Sequence, residues 1–142
     1  MRIRRDRLRK KTFHHIEQEL FHYTDTKKEV AQIRELILHR TRPDDNPGSS
    51  RSSLPGNPTA NMAVTLADNK LLDTMQEIVN AVDTVYYGSN NTVRKFMDEF
   101  YFARPRTLTI DGVADKMYIS RRTLYRIRHR LVQKLAIELG WW

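Results

Sequence analysis

Residues 110–129 read IDGVADKMYISRRTLYRIRH, two short helical patterns across a tight turn. Val113 and Met117 lie about one turn apart and face a core from the first helix. Ala114 sits where that helix must come close to the second, which calls for a small side chain. Ile119 closes the turn, and Ser120 can cap the second helix, because its hydroxyl accepts from a backbone N–H of the first turn. Leu124, Ile127 and Leu131 then recur at helical spacing and turn one face inward. The outer face keeps Arg121, Arg122, Tyr125, Arg126 and His129. A helix that is aliphatic inside and arginine outside suits an anionic surface. In a bihelical unit of this spacing that surface is commonly the major groove of DNA. A plain helical hairpin with a solvated basic face would carry the same pattern, and the net charge favours binding over it. Tyr118 stands where such a turn often has glycine, and a tyrosine at positive φ is strained. The spacing therefore predicts a longer or differently shaped turn.

The net charge is +8 over 142 residues, unevenly placed. Residues 1–42 hold 12 Lys and Arg against 6 Asp and Glu, residues 43–104 hold 5 against 8, and residues 105–142 hold 8 against 3. Basic ends around an acidic middle, with a pI near 10.0, are the footprint of a nucleic-acid binder, and an anionic membrane is the weaker alternative. No apolar run approaches the ~18 residues of a membrane span, and the basic N-terminus lacks the apolar core of a signal peptide. Cysteine is absent, which removes disulfides and thiolate metal sites and fits a cytoplasmic protein. His14, His15, His22 and His39 fall in one region without an HExxH or comparable spacing, so they read as solvated side chains, with no metal or cofactor expected. An enzyme is not expected either. There is no Gly-rich phosphate loop, and Asp98 and Glu99 are adjacent, pointing to different sides of a helix.

In chain order the sequence divides into a basic arm and N-terminal helical region (1–40), a linker (41–58) and a helical domain (59–142) that contains the helix-turn-helix pattern (110–130). The arm carries Arg2, Arg4, Arg5, Arg7, Arg9, Lys10 and Lys11. It reads as a frayed tail, as an arm that neutralises phosphates or enters a groove, or as an arginine-rich RNA ligand. Phe13, Ile16 and Leu20 form one stripe and Val30, Ile33 and Ile37 another. Thr24 or Asp25 between them could cap a second helix, so two helices with a short break are predicted. Pro43, Pro47, Pro55 and Pro58, with Gly48 and Gly56, forbid a regular helix in the linker. Thr59 to Asp83 is helical again, with Gly88 able to stop it and Ser89-Asn90-Asn91 able to cap the next helix. That next helix, about 92–102, turns Val93, Phe96, Met97 and Phe100 inward beside Tyr101, with Pro105 ending it. The last helix runs from Arg121 to Gly140, with Trp141 and Trp142 trailing. The predicted fold class is all-α, a helical bundle with a C-terminal helix-turn-helix.

Residues 92–140 resemble the phage RinA-type transcriptional regulators. The likeness rests on EFYF (99–102), ISRRTLYRIRHRLVQKLA (119–136) and IELG (137–140). The N-terminal helix before a Pro-rich break and the segment NPTANMAV (57–64) are similar in layout. The C-terminal piece also looks, more loosely, like the region of bacterial sigma factors that reads the −35 promoter element. The resemblance implies a phage-encoded activator of late packaging and virion genes, bound upstream of the late promoter in the bacterial host cytoplasm, with the recognition helix on 120–130.

On that reading Arg121, Arg122 and Arg126 read guanine edges or phosphates, and Tyr125 meets a thymine methyl or a phosphate. Ser120 and Thr123 donate to backbone phosphates at the helix start. His129 completes the outer face, while Arg128, Arg130 and Lys134 track phosphate or solvent. A single small unit seldom reads enough base pairs, so a homo-oligomer or help from host RNA polymerase is expected. The acidic Asp68, Asp73, Glu77 and Asp83 offer a surface for polymerase. Two rivals share these features, a small-terminase-like DNA-packaging protein and an RNA-binding antiterminator that uses Arg2 to Lys11.

Overall fold

The computed structural model describes residues 8–41 and 58–141, with backbone only for 40–41 and 58–66. The described residues are all-α. Helix α1 spans Lys10–Thr41, α2 Pro58–Tyr87, α3 Asn91–Phe96, α4 Ile110–Met117 and α5 Arg121–Leu139. A π-helical turn, Met97–Phe102, continues α3. The linker prediction for 41–58 falls almost wholly outside the described residues, as do the arm residues Arg2, Arg4, Arg5 and Arg7, and Trp142.

Two compact units divide the chain, one of residues 1–24 with 77–142 and one of residues 25–76. In the first, the core gathers Ile16 and Leu20 of α1, Val82 and Val85 of α2, Phe96 and Met97, Val113 and Ala114 of α4, and Leu124, Leu131 and Leu135 of α5. Phe96 and Phe100 stack at 5.5 Å, and Phe21 lies against Phe100 and Tyr101 at 5.5 and 4.8 Å. Aromatic side chains bury the most area per residue, so this cluster sets where α3 and its π-turn sit. In the second unit Val30 is buried, and Arg34 Nη2 donates to Gln76 Oε1 at 2.5 Å.

One prediction fails here. The expected break at Tyr23–Thr26 does not occur, and α1 is continuous. Thr and Asp cost a helix interior only tenths of a kcal/mol each, and no Gly or Pro interrupts residues 10–41. Tertiary contacts outweigh that cost: Tyr23 packs on Phe102 at 4.8 Å and its hydroxyl donates to Asp83. Asp83 is thus engaged inside the fold rather than offered with the other acids as a surface. The expected stops on α2 and α3 are close to the observed ones. Gly88 follows the last residue of α2, its N–H bonding Thr84 O at 3.0 Å. Asn90 caps α3, its side chain accepting from Val93 N–H at 3.0 Å. The helix that Pro105 is expected to end stops at Phe102, and the Arg104–Pro105 peptide is cis.

Candidate nucleic-acid interface

The segment before α4 is strapped to α1. Arg104 donates to Phe21 O at 2.9 Å, and the Arg106 guanidinium lies 3.8 Å over the Phe21 ring. Thr109 then caps α4, accepting from Gly112 N–H at 3.2 Å. Val113, Ala114 and Met117 are buried as their spacing predicts. α4 ends with two reverse bonds, Tyr118 N–H to Asp115 O and Ile119 N–H to Ala114 O. These satisfy the last carbonyls of the helix and require a left-handed residue at position 118.

Tyr118 takes that conformation, with φ 56 and ψ 39. The turn is therefore neither longer nor differently shaped; the tyrosine adopts the backbone that a glycine would. Its ring is 97% exposed, so the strain is not repaid by burial. Ser120 follows as the cap of α5, accepting from Thr123 N–H at 3.2 Å, and the Ser120 and Thr123 hydroxyls lie 2.8 Å apart. Helix to helix, the connection is Tyr118, Ile119 and Ser120.

On α5, Leu124 and Leu131 are buried and Ile127 half-buried. Arg121, Arg122, Thr123, Tyr125, Arg126, His129 and Arg130 are exposed. Arg121 leans toward Asp111 of α4, Nε to Oδ1 3.6 Å. His129 stacks on Phe13 of α1 at 5.6 Å. Among the described residues the side chains of Arg122, Arg126, Arg130 and Lys134 make no hydrogen bond or ion pair. Arg126, Arg130 and Lys134 follow one another at intervals of four, so their cations form a ladder along one side of the helix. Arg9, Lys10 and Lys11, the described part of the arm, are exposed at the start of α1.

Arg128 corrects the reading that it tracks phosphate or solvent. Its Nε donates to Glu17 Oε1 at 2.6 Å and its Nη2 to Glu17 Oε2 at 2.7 Å. Tyr101 donates to the same Oε1 at 2.8 Å. The carboxylate, 5% exposed, thus holds a fork from α5 and a phenol from the π-turn. Burial, with the Glu17 charge beside it, pushes the Tyr101 phenol well above its ordinary value of 10.0. The hydrogen bond to Glu17 raises the Arg128 guanidinium further, so it stays charged. The Arg128 guanidinium also lies 5.5 Å from the Phe13 ring centre. Together these contacts fix the roll of α5 against α1, and with it which α5 side chains face outward. The only hint in the sequence is that Glu17 sits inside the apolar stripe Phe13, Ile16, Leu20.

A second feature has no signature in the sequence. A cleft of about 270 Å³ runs between the start of α3 and the middle of α5, with Arg130 and Lys134 in its lining. Among the described residues no three His, Asp or Glu side chains converge as metal ligands, and no helix is long and apolar enough to cross a membrane.

The chain is similar to the transcriptional activator rinA of Staphylococcus phage phi11, 28% identical over a 139-residue alignment, with 94% of each protein covered. No family model matches it. No solved structure matches it.

Proposed function

We propose that this chain is a phage-encoded activator of transcription. It binds duplex DNA with α4 and α5 acting as a helix-turn-helix, and its targets are late packaging and structural genes. The observation that carries this reading is the exposed face of α5, where Arg122 and Arg126 flank Tyr125 without any acid to neutralise them. Similarity to a phage transcriptional activator along nearly the whole chain supports the same reading. The likeness of 119–136 to the promoter-reading region of sigma factors is part of the proposal.

In this mechanism the start of α5 enters the major groove. Arg122 and Arg126 read guanine edges, each good bidentate pair discriminating by ~1–3 kcal/mol. Tyr125 meets a thymine methyl. Ser120 and Thr123 place their hydroxyls at the positive end of the α5 dipole, where a backbone phosphate docks. Arg121 exchanges Asp111 for phosphate on binding. His129 and Arg130 extend the contact along the helix. The arm residues Arg2, Arg4, Arg5, Arg7, Arg9, Lys10 and Lys11 add phosphate contacts, and residues 41–58 link the N-terminal helical region to the rest. The protein acts in the host cytoplasm, as a homo-oligomer or beside RNA polymerase, because one such unit spans few base pairs.

Selection from a random duplex library, with wild type and Arg122→Ala in parallel, tests this. A defined motif that degenerates at one position in the variant is the expected result. Equal retention of all duplexes would reduce α5 to general phosphate binding and overturn the proposal. A sharp preference for RNA hairpins that disappears on removing residues 1–11 would replace it with antitermination.

A further inference from the structure

We infer that the cleft between α3 and α5 is a clamp for a backbone phosphate of the bound duplex, so that α3 is a second DNA-contacting element. The inference rests on the proposed reading of α5 and adds a site which that reading lacks.

Val93, Ile127 and Leu131 give the cleft an apolar lining, and the side chains beside them include several hydrogen-bond donors. Arg130 and Lys134 supply two cations with no partner among the described residues. Asn90 turns its amide oxygen back to cap Val93 N–H, which leaves its NH₂ as a donor to a ligand. Thr92 adds a hydroxyl. No Asp or Glu lines the cleft. Two cations and neutral donors without a competing carboxylate are the complement of a phosphate oxyanion.

Position along α5 selects a phosphate of the duplex over a free one. Arg130 lies nine positions beyond Arg121, about 13 Å along the helix at ~1.5 Å per residue, and Lys134 about 6 Å further. The major groove is ~12 Å wide. With the start of α5 at the base edges, Arg130 and Lys134 therefore fall at the height of the groove wall, where the sugar–phosphate backbone runs. The ladder Arg126, Arg130, Lys134 leads from the base edges to that wall. Arg130 and Lys134 are both outside the buried core, so their substitution leaves it intact.

The test compares the full chain with Arg130→Ala/Lys134→Ala, both checked for unchanged helical circular dichroism. Duplex affinity is measured across a salt series, and phosphate-ethylation interference is mapped on the tightest duplex found. Removing one cation from a phosphate lowers the salt slope by about 1. The double variant should therefore show a slope smaller by about 1 to 2 and an affinity about tenfold or more weaker at moderate salt. One or two phosphates whose ethylation weakens wild type should become neutral in the variant, with base preferences unchanged.

An unchanged slope and ethylation pattern would overturn the inference. So would altered base preference, which would make these residues readers of sequence. Saturable shifts of the Asn90 side-chain amide on adding inorganic phosphate, without any change in ethylation pattern between the proteins, would make the cleft a small-anion site instead. If wild type shows no sequence motif, the reading of α5 fails. The salt slope on a duplex of arbitrary sequence, smaller or unchanged in the double variant, then still decides whether Arg130 and Lys134 meet phosphates.

Discussion

Replacing Glu17 should cost more than any surface ion pair can account for. Its side chain is 6% exposed, that of Arg128 is 28% exposed, and one carboxylate accepts three bonds of 2.6–2.8 Å. Glu17→Leu leaves the Arg128 guanidinium half-buried without its anion and the Tyr101 hydroxyl buried without an acceptor. Removing one partner of a buried pair costs about 3–5 kcal/mol, whereas exposed pairs are worth at most about 1. The partial exposure of Arg128 lets water relieve some of this, so about 3 kcal/mol is expected. For a chain of this size that is roughly 6–12 °C in melting temperature. Arg128→Met should cost a similar amount, because it leaves the buried carboxylate without a countercharge, held only by the Tyr101 hydroxyl. The double variant removes both charges and should recover much of the loss, giving a coupling of about 2–3 kcal/mol. Urea unfolding of the four proteins by circular dichroism measures the cycle. Single losses under about 1 kcal/mol that add without coupling would refute the view that this pair fixes α5 on α1.

The remaining predictions concern the turn, the phenol and the aromatic core. Tyr118→Gly should stabilise the protein by about 0.5–1 kcal/mol in thermal unfolding, since left-handed backbone costs a non-glycine residue ~1–2 kcal/mol and the exposed ring contributes no burial. Destabilisation would mean that the ring or the turn is held differently. Tyr101→Phe should cost about 1–2 kcal/mol near neutral pH, for a hydrogen bond to a charged acceptor. Because folding raises the Tyr101 phenol above its ordinary value, its contribution is intact below pH ~10 and falls as pH rises beyond it, by up to ~1.4 kcal/mol per unit. Alkaline unfolding of wild type should therefore be steeper than that of Tyr101→Phe, and parallel curves would show that the buried phenol does not govern it. Phe96→Ala, at a fully buried ring that stacks on Phe100, should cost about 3–5 kcal/mol in urea unfolding.

Features that depend on neighbours within a turn or two are legible in the sequence. The Ser120 cap, the inward Val113, Ala114 and Met117, and the α5 faces follow from offsets of three and four residues, and the structure keeps them. The Asn90 cap and the Gly140 stop, at φ 68, are local too. The fold departs from the sequence pattern where a distant partner decides. Arg128 patterns with the solvent-facing cations, but the carboxylate that holds it lies 111 residues away. The capping residues at 23–26 suggest a break, but Tyr23 is fixed by Phe102 and Asp83, which no local pattern announces. Tyr118 defies the expectation of an altered turn because two reverse hydrogen bonds outweigh the strain of one residue. The donors of the α3–α5 cleft come from segments about 40 residues apart, so only folding brings them together.

Whether α5 reads bases is the central question. Missing-base interference on the selected duplex answers it, with each base removed in turn and wild type compared with Arg122→Ala and Arg126→Ala. The expected result is a short contiguous run of bases whose removal weakens wild type, with one different position becoming indifferent in each variant. An interference pattern that is the same in all three proteins, or that shows no sensitive base, would contradict base reading by α5.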